Sequence, residues 1–191
     1  MTLKAPRDSV VHFDSTDAHV DTSYRLSGFA QSLTLRRIVS GGQTGVDRGA
    51  LDAALGEGFS CGGWMPGDRM AEDGVISERY PLTTLPHGNY RQRTRLNVVD
   101  SDGTAILYDG HLNGGTRLTH DLCGLVERPC MLVSARAITD PIAAAKVILK
   151  FIDHNRIETL NVAGPRASRW NGGYSFALAV VGGVIRELAR G

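Results

Sequence analysis

Ser40-Gly41-Gly42-Gln43-Thr44-Gly45-Val46-Asp47-Arg48-Gly49-Ala50-Leu51-Asp52-Ala53-Ala54-Leu55 is the stretch that decides the fold. The apolar run before it, residues 35–40, reads as a strand. The residues after it, 46–57, read as a helix with Val46, Ala50, Ala53 and Ala54 on one face and Gly58 as its stop. A strand that enters a helix through a glycine turn is half of a βαβ unit. Such a turn brings backbone N–H groups and the positive end of a helix dipole towards an anion.

The pattern repeats outward along the chain. Residues 59–63 read as a second strand, followed by a loop rich in Gly, Asp and Pro over 64–74. Residues 89–100 read as helical and 104–108 as a third strand. Asn113-Gly114-Gly115-Thr116 then opens a helix with Leu118, Leu122, Leu125 and Val126 on one stripe. Residues 129–133 form a fourth strand. Asp140 and Pro141 are an N-cap and first-turn pair for a helix that buries Ile142, Ala145, Ile148, Leu149 and Ile152. A fifth strand, 159–163, leads into Gly164-Pro165-Arg166-Ala167-Ser168. The last helix, about residues 174–189, is apolar on most sides and is expected to be buried. Alternation of this kind implies an α/β fold of Rossmann-like build, three layers α/β/α around a mostly parallel sheet of about five strands. Ligands of such sheets bind beyond the carboxyl ends of the strands.

Residues 1–34 lack this periodicity and read as an irregular N-terminal arm, leaving 35–191 as the folded domain. A chain of 191 residues with net charge +1 supports one core and argues against a nucleic-acid polymer or an acidic membrane as partner. No stretch reaches the length of a membrane span, and the N-terminus has no continuous apolar segment of the signal-peptide kind. Cys61, Cys123 and Cys130 show no C-x-x-C spacing. A reducing cytoplasm is therefore expected, with no metal-ligating set.

The first candidate site is the turn Gly41, Gly42, Gln43, Thr44 and Gly45, with Asp47 and Arg48 placed to grip a hydroxyl and a phosphate. It lacks the G-K-S/T ending of a P-loop, and no acid at the end of the second strand marks a dinucleotide ribose. The second is Gly114, Gly115, Thr116 and Thr119. Asp102, before the third strand, and Gly164, Arg166 and Ser168, after the fifth, complete the set. Each of these has a plainer alternative as a tight turn, a cap or a solvated charge. Arg91, Arg93, Arg95, Arg117 and Arg169 add positive charge nearby, in a pattern that suits a small anion. His111 and His120 flank the second turn as candidate acids or bases. No nucleophile stands out.

Five segments together, Ser40 to Leu55, Gly62 to Gly74, Asn97 to Thr104, Gly114 to Thr119 and Asn161 to Ser168, closely resemble the putative molybdenum carrier family. That family belongs to the YpsA-like branch of a group that includes lysine-decarboxylase-like and LOG proteins. The resemblance covers about residues 36–188 in order. It implies a homo-oligomer, dimer or tetramer, that binds molybdenum cofactor, a pterin with a phosphate tail whose dithiolene already holds the metal. Catalytic relatives release a base from nucleoside monophosphates through P-G-G-x-G-T-x-x-E. Here Thr119 stands where the catalytic Glu would be and Asn113 replaces the Pro. The expected function is thus a carrier of molybdenum cofactor or a related phosphate-bearing, nucleotide-like ligand. The alternatives are a nucleoside-monophosphate phosphoribohydrolase and a nucleotide-sensing module.

Overall fold

The structure, a computed structural model, describes residues 34–190. All of the expected arm except Thr34 lies outside the described residues. The elements are β1 (Arg37–Val39), α1 (Val46–Gly56), β2 (Cys61–Gly62), β3 (Trp64–Pro66), β4 (Met70–Ala71), β5 (Gly74–Val75) and β6 (Thr83–Leu85). There follow α2 (Tyr90–Val99), β7 (Gly103–Tyr108), α3 (Gly114–Leu125), β8 (Cys130–Ser134), α4 (Pro141–Asn155), β9 (Thr159–Ala163) and α5 (Gly173–Leu188).

Five strands form one sheet in the order β2-β1-β9-β7-β8, and every pairing in it is parallel. The chain starts near one edge, steps out to β2, crosses to β7 and β8, and returns to fill the gap with β9. Were the β9–α5 unit to precede β1, the strands would number 3-2-1-4-5 across the sheet, the order of a dinucleotide-type fold. The chain builds that fold from a shifted starting point. Helices α1, α5 and α4 lie side by side on one face, and α2 packs with α3 on the other. The fold is therefore three-layered and Rossmann-like.

Burial follows the apolar periodicity. Val46, Ala50, Ala53 and Ala54 of α1 and Ala145, Ile148 and Ile152 of α4 join Ile38, Leu107, Leu160 and Val162 of the sheet in one core. Asp140 caps α4 by accepting from Ile142 N at 3.0 Å and Ala143 N at 3.2 Å, with Pro141 at the first position. Three expectations change. Leu125 and Ile142 are exposed, each in a terminal turn of its helix. The last helix buries Ala177, Val180, Val181, Val184 and Ile185, but leaves Tyr174 and Leu178 on an outer stripe. The 64–74 loop carries structure: β3 pairs with β6, and β4 pairs with β5 as a small hairpin.

Candidate functional site

Three helices, α1, α3 and α5, follow β1, β7 and β9, and none has a side-chain hydrogen bond at its N-cap; α2 and α4 both do. These ends gather where β9, followed by a helix on one face, adjoins β7, followed by a helix on the other, which is where sheets of this class hold ligands.

Against the first glycine turn sits Arg93 of α2, only 5% exposed. Its Nη1 is 3.6 Å from Asp47 Oδ2, its guanidinium lies 4.5 Å from the Tyr90 ring centre, and its Nε has no hydrogen-bond partner among the described residues. The approach requires Gly41, since a Cβ there would fall 1.6 Å from Nη1. Asp47, Thr94, Asn97, Thr119 and Asn161 line the remaining space, about 10 Å³, room for about one water. Burial raises the Asp47 pKa, an effect that the Arg93 charge and the Gln43 and Gly41 backbone only partly offset. Asp47 also turns back on its own loop, accepting from Gln43 N at 3.3 Å.

A second group of donors surrounds Glu72, at the tip of the β4–β5 hairpin. Its carboxylate accepts from Ser168 N at 3.0 Å, Ser168 Oγ at 2.6 Å and the Thr44 hydroxyl, with Arg166 Nε at 3.2 Å. Partial desolvation pushes this carboxyl up, but the bonds from Ser168 and Thr44 and the Arg166 charge outweigh it and hold it at about 2. Beside it Asp73 receives both Arg48 nitrogens, at 2.5 and 2.8 Å, and the Arg48 hydrogen bonds hold its pKa down. The Gln43 side-chain oxygen accepts from Thr44 N at 3.0 Å and Glu72 N at 2.9 Å.

Glu72 sets a sign for acid sensitivity. Its folded pKa lies below the ordinary 4.5, so its contribution to stability is present above that value and fades as pH falls from 4.5 towards 2. We expect Glu72→Gln to flatten the melting temperature over that window relative to wild type; parallel curves would remove Glu72 from the acid response.

The expected site residues separate into groups. Gly41, Asp47 and Thr119 line the central space. Thr44, Arg166 and Ser168 converge on Glu72, while Arg48 is held by Asp73 and by Gly42 O at 3.2 Å. Gly45 and Gly164 lie where the β1 and β9 turns meet, each within 3 Å, by the position a Cβ would take, of atoms from neighbouring segments. Gly114, Gly115 and Thr116 form the first turn of α3, with Gly115 against the Tyr90 hydroxyl and Thr116 buried. The expectation of free N–H groups at α1 needs correction: Val46 N donates to Pro165 O and Arg48 N to Gln43 O.

Asp102 is a second correction. It precedes β7, at the opposite edge of the sheet, where its carboxylate accepts from Glu158 N at 3.1 Å and Thr159 N at 2.8 Å. It ties two strand starts together. His111 is exposed, and His120 lies beside Asp121, away from the central space.

Sequence reasoning counted Arg93 only as nearby charge and missed Glu72, Asp73, Thr94 and Asn97. One signal for the helix was present: Arg93, Thr94 and Asn97 are polar yet share the buried side of α2. The hairpin acids lie in the 64–74 stretch, which reads only as a loop rich in Gly, Asp and Pro.

The chain matches the family described as circularly permutated YpsA SLOG over residues 38–185. It is also similar to a crystal structure described as "Putative molybdenum carrier protein" from Syntrophus aciditrophicus SB, at 37% identity and a TM-score of 0.79, covering 83% of this chain and 99% of that one. No curated protein matches it. The chain belongs to the circularly permutated YpsA SLOG family, and its shifted strand order is the permutation seen in three dimensions.

Proposed function

We propose, from this membership as premise, that the protein is a carrier that binds a small phosphate-bearing, nucleotide-like ligand at the C-terminal edge of β1, β9 and β7. The observation that carries this is Arg93: a buried guanidinium packed on Gly41 and on the ring of Tyr90, whose hydroxyl meets Gly115, with one nitrogen lacking a partner among the described residues. A buried donor left unsatisfied is costly, and an anion is the group that offsets the cost. The similar crystal structure is described as a "Putative molybdenum carrier protein", which supports molybdenum cofactor as the first candidate cargo. The donors fit its phosphate tail: arginines and hydroxyls supply charge-assisted hydrogen bonds, the chemistry of a phosphate contact and not of a metal centre.

The same reading makes the carrier a cytoplasmic homo-oligomer, dimer or tetramer. Among the described residues no helix is long and apolar enough to cross a membrane. Native mass spectrometry of freshly purified protein reads both cargo and subunit number, and thermal-shift titration with molybdenum cofactor, nucleoside monophosphates and molybdate reads affinity. A phosphate-bearing ligand at a hundredfold excess over its Kd stabilises by about 2.7 kcal/mol. If no phosphate-bearing compound shifts the melting temperature, the carrier reading fails.

One observation favours a second reading, hydrolysis of a nucleoside monophosphate. Asp47 lies beside Arg93 in the same space with its pKa raised by burial, so it is placed to hold a proton for a leaving base. The carrier reading expects no free base after incubation with nucleoside monophosphates. Catalytic release of base that Asp47→Asn abolishes would establish the hydrolase instead.

A further inference from the structure

The donors that sequence reads as a phosphate cradle are engaged by this chain's own acids. Thr44, Ser168 and Arg166 come from two separate turns, and all of them meet on Glu72. Arg48 meets Asp73 two-pronged, as an arginine meets a phosphate. Two neighbouring carboxylates on one hairpin tip thus engage both arginines of the expected site.

The hairpin that carries them is slightly built. It has two residues per strand, Met70 facing Val75 and Ala71 facing Gly74, and Met70 and Val75 are exposed by 46% and 70%. Two-stranded ladders are marginal on their own. What seats the tip is its acids, with the Gln43 side chain bridging Thr44 N and Glu72 N.

Resting on the carrier reading, we propose that the β4–β5 hairpin is a built-in competitor for the ligand. Glu72 holds the cradle of Thr44, Arg166 and Ser168 until a phosphate, or another tetrahedral oxyanion, takes its place and frees the hairpin. The exchange is chemically direct. Carboxylate and phosphate use the same fork of donors, and phosphate brings more acceptor oxygens and more charge. Two anions cannot share one cradle, because like charges at contact distance repel. The arriving oxyanion therefore expels Glu72, and Gln43 transmits the loss to the tip. The cradle's apparent affinity is its intrinsic affinity multiplied by the fraction of time Glu72 leaves it free.

The test is calorimetric titration of inorganic phosphate and AMP into wild type, Glu72→Gln and Glu72→Ala, with amide hydrogen exchange followed over residues 70–75. Circular dichroism confirms that each variant is folded, and Glu72→Gln keeps the side-chain shape should the alanine variant unfold. We expect both variants to bind about tenfold tighter or more. Exchange over 70–75 should rise when wild type is saturated with phosphate and be high from the start in the variants. Equal affinities with the hairpin still protected in saturated wild type overturn the competitor but leave the carrier reading standing. Weaker binding in the variants also overturns it, since Glu72 would then be a ligand contact. Absence of binding in all three proteins overturns both.

Discussion

Arg93→Met is expected to cost about 3 kcal/mol of stability at neutral pH, the scale on which breaking a buried ion pair destabilises. Methionine keeps much of the arginine stem and removes the charge. Asp47, whose side chain is 8% exposed, then loses the partner 3.6 Å away whose charge lowers its pKa. The loss should depend on pH with a definite sign. Burial already raises the Asp47 pKa above the ordinary 3.8, and without Arg93 it rises further. A carboxyl with a raised folded pKa binds its proton more tightly folded than unfolded. Stability is therefore full below 3.8 and declines as pH climbs from there to the folded value.

The gap between variant and wild type should be narrow near pH 3.5 and widen towards neutrality, as measured by denaturant unfolding at several pH values. Adding Asp47→Asn to Arg93→Met should recover part of the loss, because an amide leaves no buried charge. The same substitution should weaken binding of a phosphate-bearing ligand by about ten- to a hundredfold, the worth of one charge-assisted bond. A gap that does not change with pH would show that Arg93 does not govern the titration of Asp47.

The layers of the fold were legible because each strand is a short apolar run broken by glycine, and each helix after it is amphipathic. Val46, Ala50, Ala53 and Ala54 declare a face in the sequence and bury that face in the structure. The position of β9 was not legible. Periodicity says that residues 159–163 form a strand, but not that they slide between β1 and β7; neighbour choice depends on crossovers that leave no local mark.

The site divides in the same way. Gly41, Thr44 and Ser168 announce themselves because turn chemistry is local. Glu72 does not, since its partners are 28 and 96 residues away and an acid in a loop ordinarily faces water. Arg93 lies between these cases. Its neighbours Thr94 and Asn97 repeat at helical spacing, so α2 turns a polar side inward, the reverse of the usual rule, and such reversals mark functional positions.

Gly45→Ala is expected to lose about 3 kcal/mol or more, because two costs fall on one residue. Its φ of 77° and ψ of −127° lie in a region that side chains avoid. A Cβ there would also stand 2.6 Å from Pro165 O and 2.8 Å from Ala167 N, backbone atoms that cannot rotate aside. The β1 and β9 turns would have to separate, weakening the bonds Val46 N to Pro165 O at 3.3 Å and Ala167 N to Thr44 Oγ1 at 3.1 Å. For a chain of this size the loss lowers the melting temperature by roughly 6–12 °C. Separation also spreads Thr44 from Ser168, so phosphate affinity should fall with stability. Gly58→Ala probes a positive φ without the crowding: its φ is 63° and nothing among the described residues lies within 4 Å of the added methyl. That variant should lose only about 1 kcal/mol and leave binding intact. Equal losses from the two substitutions would mean that the β9 turn yields to the methyl, and that the two turns do not hold the cradle as one rigid piece.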